Sequence, residues 1–139
     1  MSAPKKFFLA GVIALILNLI WEFSHHPLYI GLSGIPQNLH LIMASFADMF
    51  IILGIFTVVS LKNKSLDWLK APSRYDYLLI VFLSLIIAIS IEAINLNLGR
   101  WEYTQAMPTL FGIGASPLLQ LALTGVISLF FVKKFIPQY

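Results

Sequence analysis

Four long apolar runs alternate along the chain with shorter segments that carry its prolines, glycines and most of its charges. The runs extend from about Phe7 to Phe23, Leu39 to Leu61, Tyr77 to Leu96 and Pro117 to Phe135. A helix needs about 20 residues to cross the hydrocarbon of a bilayer, within a range of about 17 to 25. The pattern therefore predicts an all-α fold, an integral membrane four-helix up-down bundle forming a single transmembrane domain over residues 1–139. The connections are His25 to Asn38, Lys62 to Asp76 and Asn97 to Ser116.

Composition agrees with that class. The 139 residues are 59% hydrophobic and 11% charged, with a mean hydropathy of +0.88, far from the balance of a soluble domain. Zero cysteines exclude disulfides and thiol catalysis. Lys5 and Lys6 before an apolar run could mark a signal peptide, but no small-x-small cleavage site follows, and Asn18 and Glu22 interrupt the run.

Charge sets the orientation. Lys5, Lys6, Lys62, Lys64, Lys70, Arg74, Lys133 and Lys134 fall on one side of the predicted membrane and only Arg100 on the other, so the positive-inside rule places both termini in the cytoplasm. The net charge of +3 is explained by these flanks and by lipid headgroups, with no nucleic-acid partner. Trp68, Tyr75 and Tyr77 are then expected at the inner interface as part of an aromatic belt.

Against this background, Glu22, Asp48 and Glu92 stand out, because each lies inside an apolar run. A charge at the centre of a spanning helix costs roughly 2.5 to 3.5 kcal/mol even on the mildest scale, so such residues face a protein interior or a wet cavity. At about 1.5 Å per residue, Glu22 lies roughly 5 Å, Glu92 roughly 9 Å and Asp48 roughly 12 Å from the outer helix ends. Asn18, Asn95 and Gln120 lie at similar levels. Asn18, Glu22 and His25 or His26 share a helix face, and Ser116, Gln120, Thr124 and Ser128 recur every four residues. Ser116 before Pro117 reads as an N-cap. Polar side chains of this kind also serve as interhelical glue, the alternative reading of the layer.

The third connection is long for a helix bundle. Its Trp101, Tyr103, Met107, Leu110 and Phe111 predict a segment folded back over the bundle as a lid or lying in the interface as a belt, with Gly112 and Gly114 supplying flexible backbone. Arg100 and Glu102 are expected at the cavity mouth, with Trp21, Tyr29, Trp101 and Tyr103 around a ligand.

The candidate chemistry is acid and base work by Glu22, Asp48 and Glu92. A carboxyl in apolar surroundings resists ionisation, so one member of such a group can donate a proton while another accepts one. No cofactor is expected. Glu22-Phe23-Ser24-His25 has the Glu-x-x-His spacing of carboxylate-bridged metal sites, but the second motif is missing, and a site from Glu22, His25, His26 and His40 is the weaker alternative.

Asn18-Leu19-Ile20-Trp21-Glu22 with Pro27-Leu28-Tyr29, Gly99-Arg100-Trp101-Glu102-Tyr103, Met107-Pro108 and Ser116-Pro117-Leu118-Leu119-Gln120 resemble an uncharacterised family of small four-span prokaryotic membrane proteins. The likeness covers the first and last thirds, with Ala47-Asp48 agreeing more loosely. It implies a prokaryotic plasma membrane. The family lacks the His25-His26 pair and has a histidine followed by Gly-Asp in its second helix, which this chain does not reproduce. Trp21-Glu22 followed by Pro27-Leu28-Tyr29 is also similar to the sterol isomerase and sigma-2 receptor superfamily, whose bundles hold cationic or carbocation-like ligands with membrane-embedded acids.

The reading is an outward-half cavity for a small hydrophobic or amphipathic ligand, lipid-like or isoprenoid-like. If it is an enzyme, it would be an acid-base isomerase, cyclase or hydratase. Two alternatives share the residues: a proton- or cation-coupled transporter, for which a homodimer is expected, and a non-catalytic subunit whose polar layer fixes packing. Membrane lipids are partners in every case.

Overall fold

The computed structural model describes residues 1–31 and 35–136; residues 32–34 of the first connection and 137–139 lie outside that description. Four helices account for most of it: α1 (Ala3–His25), α2 (Gln37–Asn63), α3 (Arg74–Asn97) and α4 (Ala115–Phe135). Each is long and apolar enough to cross a membrane, as in an integral membrane protein. All four reach slightly beyond the apolar runs. At the start of α1, Pro4 stands in the first turn, where its missing N–H costs nothing, so helix begins ahead of the lysines.

Around the bundle, α1 packs on α2 and α4, and α3 packs on α4; α2 and α3 are the least closely packed of the neighbouring pairs. Small residues permit the close approaches. Ala10 and Ala14 of α1 are fully buried beside Ile52 and Phe56 of α2, and a Cβ at Gly125 of α4 would stand 3.4 Å from Ile80 of α3. The outside is apolar instead of polar. Phe8, Ile20, Phe50, Leu78, Phe82 and Phe130 are all exposed, a surface that suits lipid tails.

Ion pairs and a buried indole tie down the end bearing the N-terminus and the second connection. Lys6 Nζ lies 2.6 Å from Asp67 Oδ1, and Lys62 Nζ donates to Asp76 Oδ1 at 2.7 Å. Lys6, expected as a flanking charge, is buried. Ser73 and Asp76 form a reciprocal capping box that starts α3. Trp68 does not sit in an aromatic belt. It is buried on Phe56, with its indole N–H donating to Ser60 Oγ at 2.8 Å, because the short 3-10 turn Asp67–Leu69 folds it under the helices.

The other end is stitched by backbone. Strand β1 (Tyr29–Ile30) of the first connection pairs antiparallel with β2 (Glu102–Tyr103) of the third, in the register Tyr29 with Tyr103 and Ile30 with Glu102. The Thr104 N–H extends the contact to Leu28 O at 2.9 Å. A hairpin of β3 (Thr109–Leu110) and β4 (Ile113–Gly114) follows, turning through Phe111 and Gly112 at φ 52° and 82°. That is the mirror-image two-residue turn that matches strand twist. The third connection thus folds back on itself and on the first.

Candidate functional site

The polar residues of the four helices meet near this stitched end, with Gln120 of α4 at their centre. Its Nε2 lies 2.7 Å from Glu22 Oε1, 2.7 Å from Asp48 Oδ2 and 3.1 Å from Asn18 Oδ1. One amide nitrogen has two protons, so three acceptors compete for two donors. The reverse orientation would set the amide oxygen against three other oxygens, so the neighbours fix which way Gln120 points.

The four-residue repeat of α4 continues its polar face beyond Gln120. Thr124 Oγ1 donates to Gln120 O at 2.7 Å, and Ser128 Oγ to Thr124 O at 2.6 Å. Asn18 gives its Nδ2 to Ala14 O at 2.9 Å, which leaves its oxygen for Gln120. Asn18, Gln120, Thr124 and Ser128 are all buried.

Ser116 is not the N-cap of α4. The helix starts two residues earlier than such a cap implies, at Ala115, with Gly114 at the cap position and no side-chain cap. Freed from that task, the Ser116 hydroxyl accepts the Trp21 indole N–H at 3.2 Å and lies 2.8 Å from His25 Nδ1. His25 Nε2 is in turn 3.4 Å from Glu22 Oε2. Ser116 and His25 thus connect the Trp21 indole to the neighbourhood of the Glu22 carboxyl, with the direction of the Ser116–His25 bond set by the imidazole tautomer.

Glu92 is held separately. Its Oε2 accepts from the Tyr103 hydroxyl at 2.5 Å and from the Trp101 indole at 3.3 Å. Burial, reinforced by Glu92, pushes the Tyr103 phenol well above its ordinary pKa, so it remains a donor across the physiological range. Tyr29, whose phenol burial and Glu92 also push up, packs edge-on against His25, Trp101 and Tyr103. Beside this group the guanidinium of Arg100 donates to Asn95 Oδ1 at 3.0 Å.

These groups border a cavity of about 460 Å³. Glu22, Asp48, Glu92, Asn95, Gln120, Tyr29, Arg100 and Trp101 line it, as do His25, His26 and His40; its other walls are apolar, including Leu41, Ala44, Ala47, Ile51, Ala88 and Ile91. The volume is within the range of roughly 300 to 1,000 Å³ typical of small-molecule sites. Asn18 and Tyr103 stand behind the lining and hold Gln120 and Glu92.

Trp21, expected around the ligand, and Glu102, expected at the mouth, lie elsewhere. Trp21 borders a separate hollow with Leu17, Ile20, Leu28 and Ile127, on the far side of His25 and Ser116. Glu102 is exposed on β2, opposite Ile30, and is not part of the lining. Among the described residues, no three histidine or acidic side chains stand close enough to share a metal ion. Glu22 and His25 do meet, but Gln37 Nε2 lies 2.7 Å from His26 Nε2 at the exposed end of α2. From the sequence, His25 shares a helix face with Asn18 and Glu22 and reads as an interface histidine, with a metal role as the weaker alternative; its link to Ser116 is not legible there. The signal available was the wrong one, since Ser-Pro at a helix start suggests a cap.

No family model, curated protein or solved structure matches the chain.

Proposed function

We propose that this protein binds a small hydrophobic or amphipathic ligand in an intramembrane cavity, with its polar group against Glu22 and Asp48. One carboxylic acid would act there as proton donor and a second carboxylate as base or cation stabiliser. The observation that carries this reading is two carboxyl groups converging on the single amide of Gln120 at the wall of an otherwise largely apolar cavity.

Energetics favour a site over a packing device. Interhelical hydrogen bonds inside membranes average about 0.6 kcal/mol, so the two that the Gln120 amide can donate contribute about 1 kcal/mol. An ionised carboxylate costs roughly 2.5 to 3.5 kcal/mol on the mildest scale, so even one exceeds that gain. A layer kept for packing alone would be more stable with amides or apolar residues.

For orientation we adopt an up-down bundle in a prokaryotic plasma membrane, both termini cytoplasmic and the cavity in the outer half. The eight-to-one distribution of Lys and Arg supports it. So does the association of the N-terminus with the second connection through Lys6 and Asp67, and of the first connection with the third through β1 and β2.

The decisive experiment is native mass spectrometry of protein extracted gently from its own membrane. Wild type retains an apolar small molecule, and the Glu22→Gln/Asp48→Asn protein, folded and monodisperse, loses it. Retention by the folded double variant would overturn the reading. Acidification of vesicles on substrate uptake, lost in the same variant, would replace it with the proton-coupled transporter.

A further inference from the structure

We propose that the ligand's hydrocarbon chain reaches the cavity sideways from the bilayer, through the seam between α2 and α3, and that the ligand is accordingly a membrane amphiphile with one small polar group. This rests on the reading of the cavity as a ligand site.

Three observations point to the seam. First, α2 and α3 make the loosest of the neighbouring helix contacts. Second, the lining runs furthest along these two helices: Leu41, Ala44, Ala47, Asp48 and Ile51 recur on one face of α2, and Ala88, Ile91, Glu92 and Asn95 on one face of α3, whereas α1 and α4 contribute only residues near the site end. Third, Met43 and Ala47 of α2 line the cavity and are themselves exposed, so the cavity is open along this helix. An exposed residue in the lining marks where the cavity opens. The neighbours of Ala47 in the seam, Ala44 and Ala88, are as small as itself.

The chemistry of the walls identifies the occupant. Polar groups are gathered at one level around Gln120 and Glu92, whereas the seam presents methyl and larger alkyl groups. An amphiphile lying in the leaflet would keep its chain in hydrocarbon while its head moves onto the carboxyl pair. No apolar area need cross water, which would otherwise cost about 25 cal/mol per Å². A water-soluble ligand would need the end that carries Tyr29, Arg100 and Trp101.

The test uses the absence of cysteine in the chain. The Ala47→Cys protein in phosphatidylcholine vesicles is exposed to hexadecanol carrying a diazirine in its chain, and photolabelled residues are mapped by mass spectrometry. Before blocking, label is expected on Ala88, Ile91 and Leu121. After a bulky benzyl group is attached through a disulfide, that label is lost, and reduction restores it in the same sample, which excludes misfolding as the cause. The same block on a Phe8→Cys protein, at an exposed position of α1, leaves cavity label unchanged. Cavity label that persists with the Ala47→Cys position blocked would overturn the lateral route and leave the ligand reading intact. Label confined to bilayer-facing positions such as Phe82 in the unblocked protein would overturn both.

Discussion

The backbone of Gly114 runs directly against the ring of Tyr103: a Cβ at Gly114 would stand 3.0 Å from Tyr103 Cζ, and as close to the Met107 sulfur. The hydroxyl carried by that Cζ is the donor that holds Glu92. A single methyl at Gly114 is therefore expected to lever Tyr103 off the carboxylate. Gly114→Ala should cost about 1 to 3 kcal/mol, the usual range for overpacking, and should alter the Tyr103 hydroxyl band in ultraviolet Raman spectra as Tyr103→Phe abolishes it. Wild-type melting and an unchanged band would mean the loop yields freely.

Glu22 and Asp48 share one donor, whereas Glu92 has its own two. In infrared difference spectra across pH, Glu22→Gln should displace the Asp48 carboxyl band, and Asp48→Asn the Glu22 band. Each should move the Glu92 band less. Gln120→Leu, which removes the shared donor and leaves the two carboxyls facing each other, should displace both of their bands and move that of Glu92 less. Three bands that titrate independently in wild type would dissolve the pair.

Phe111 occupies the left-handed region at φ 52° at the tip of the β3–β4 hairpin, with its side chain wholly exposed. Left-handed backbone costs a residue with a Cβ about 1 to 2 kcal/mol. Phe111→Gly should consequently raise the melting temperature in detergent. In bilayers the gain should shrink, because the ring and its exposed neighbour Leu110 would have served as interfacial anchors. An equal gain in both media would show that the ring does not reach lipid.

The Lys6 to Asp67 pair gives a pH dependence with a definite sign. Lys6, and Lys70 beside it, hold the exposed Asp67 carboxyl below its ordinary pKa. A depressed folded-state pKa means that the contribution is present above the unfolded value of about 3.9 and is lost as pH falls through the lower folded value. Asp67→Asn should flatten that part of the stability profile. It should also destabilise more than Lys6→Met, because it leaves a buried ammonium without its carboxylate. Equal losses from the two variants, or an unchanged acid limb in Asp67→Asn, would count against the pair.

Orientation can be read with single cysteines. A thiol at Ser65 should be silent to an impermeant reagent added to intact cells, and one at Gln105 should react. The reverse pattern would turn the cavity toward the cytoplasm.

Helix number and approximate extent were legible because apolar runs of spanning length leave the chain few choices. The polar wall of α4 was legible for a similar reason: a repeat of four puts Ser116, Gln120, Thr124 and Ser128 on one face whatever the tertiary context. What periodicity does not carry is direction across an element. Trp21 and Glu22 are adjacent, so they point about 100° apart on the helix, and only the packing of α4 against α1 decides that the carboxylate faces the cavity and the indole faces Ser116. The two small sheets were illegible as well. Two-residue strands have no alternation to detect, and β1 with β2 pairs residues far apart in sequence. Trp68 misled because an aromatic beside lysines suits an interface, and the 3-10 turn that buries it has no strong sequence mark.

Gln120 follows Asp48 by 72 residues and Glu22 by 98. Ribosomes add about 5 to 20 residues per second, so the two carboxyls leave the ribosome roughly 4 to 20 seconds before the amide that joins them. Until α4 is made, the nascent chain contains the acids without their common donor. The fourth helix is thus the one that completes the polar centre, and a chain truncated before it would leave Glu22 and Asp48 without the amide that joins them, a feature by which quality control could distinguish unfinished copies from finished ones.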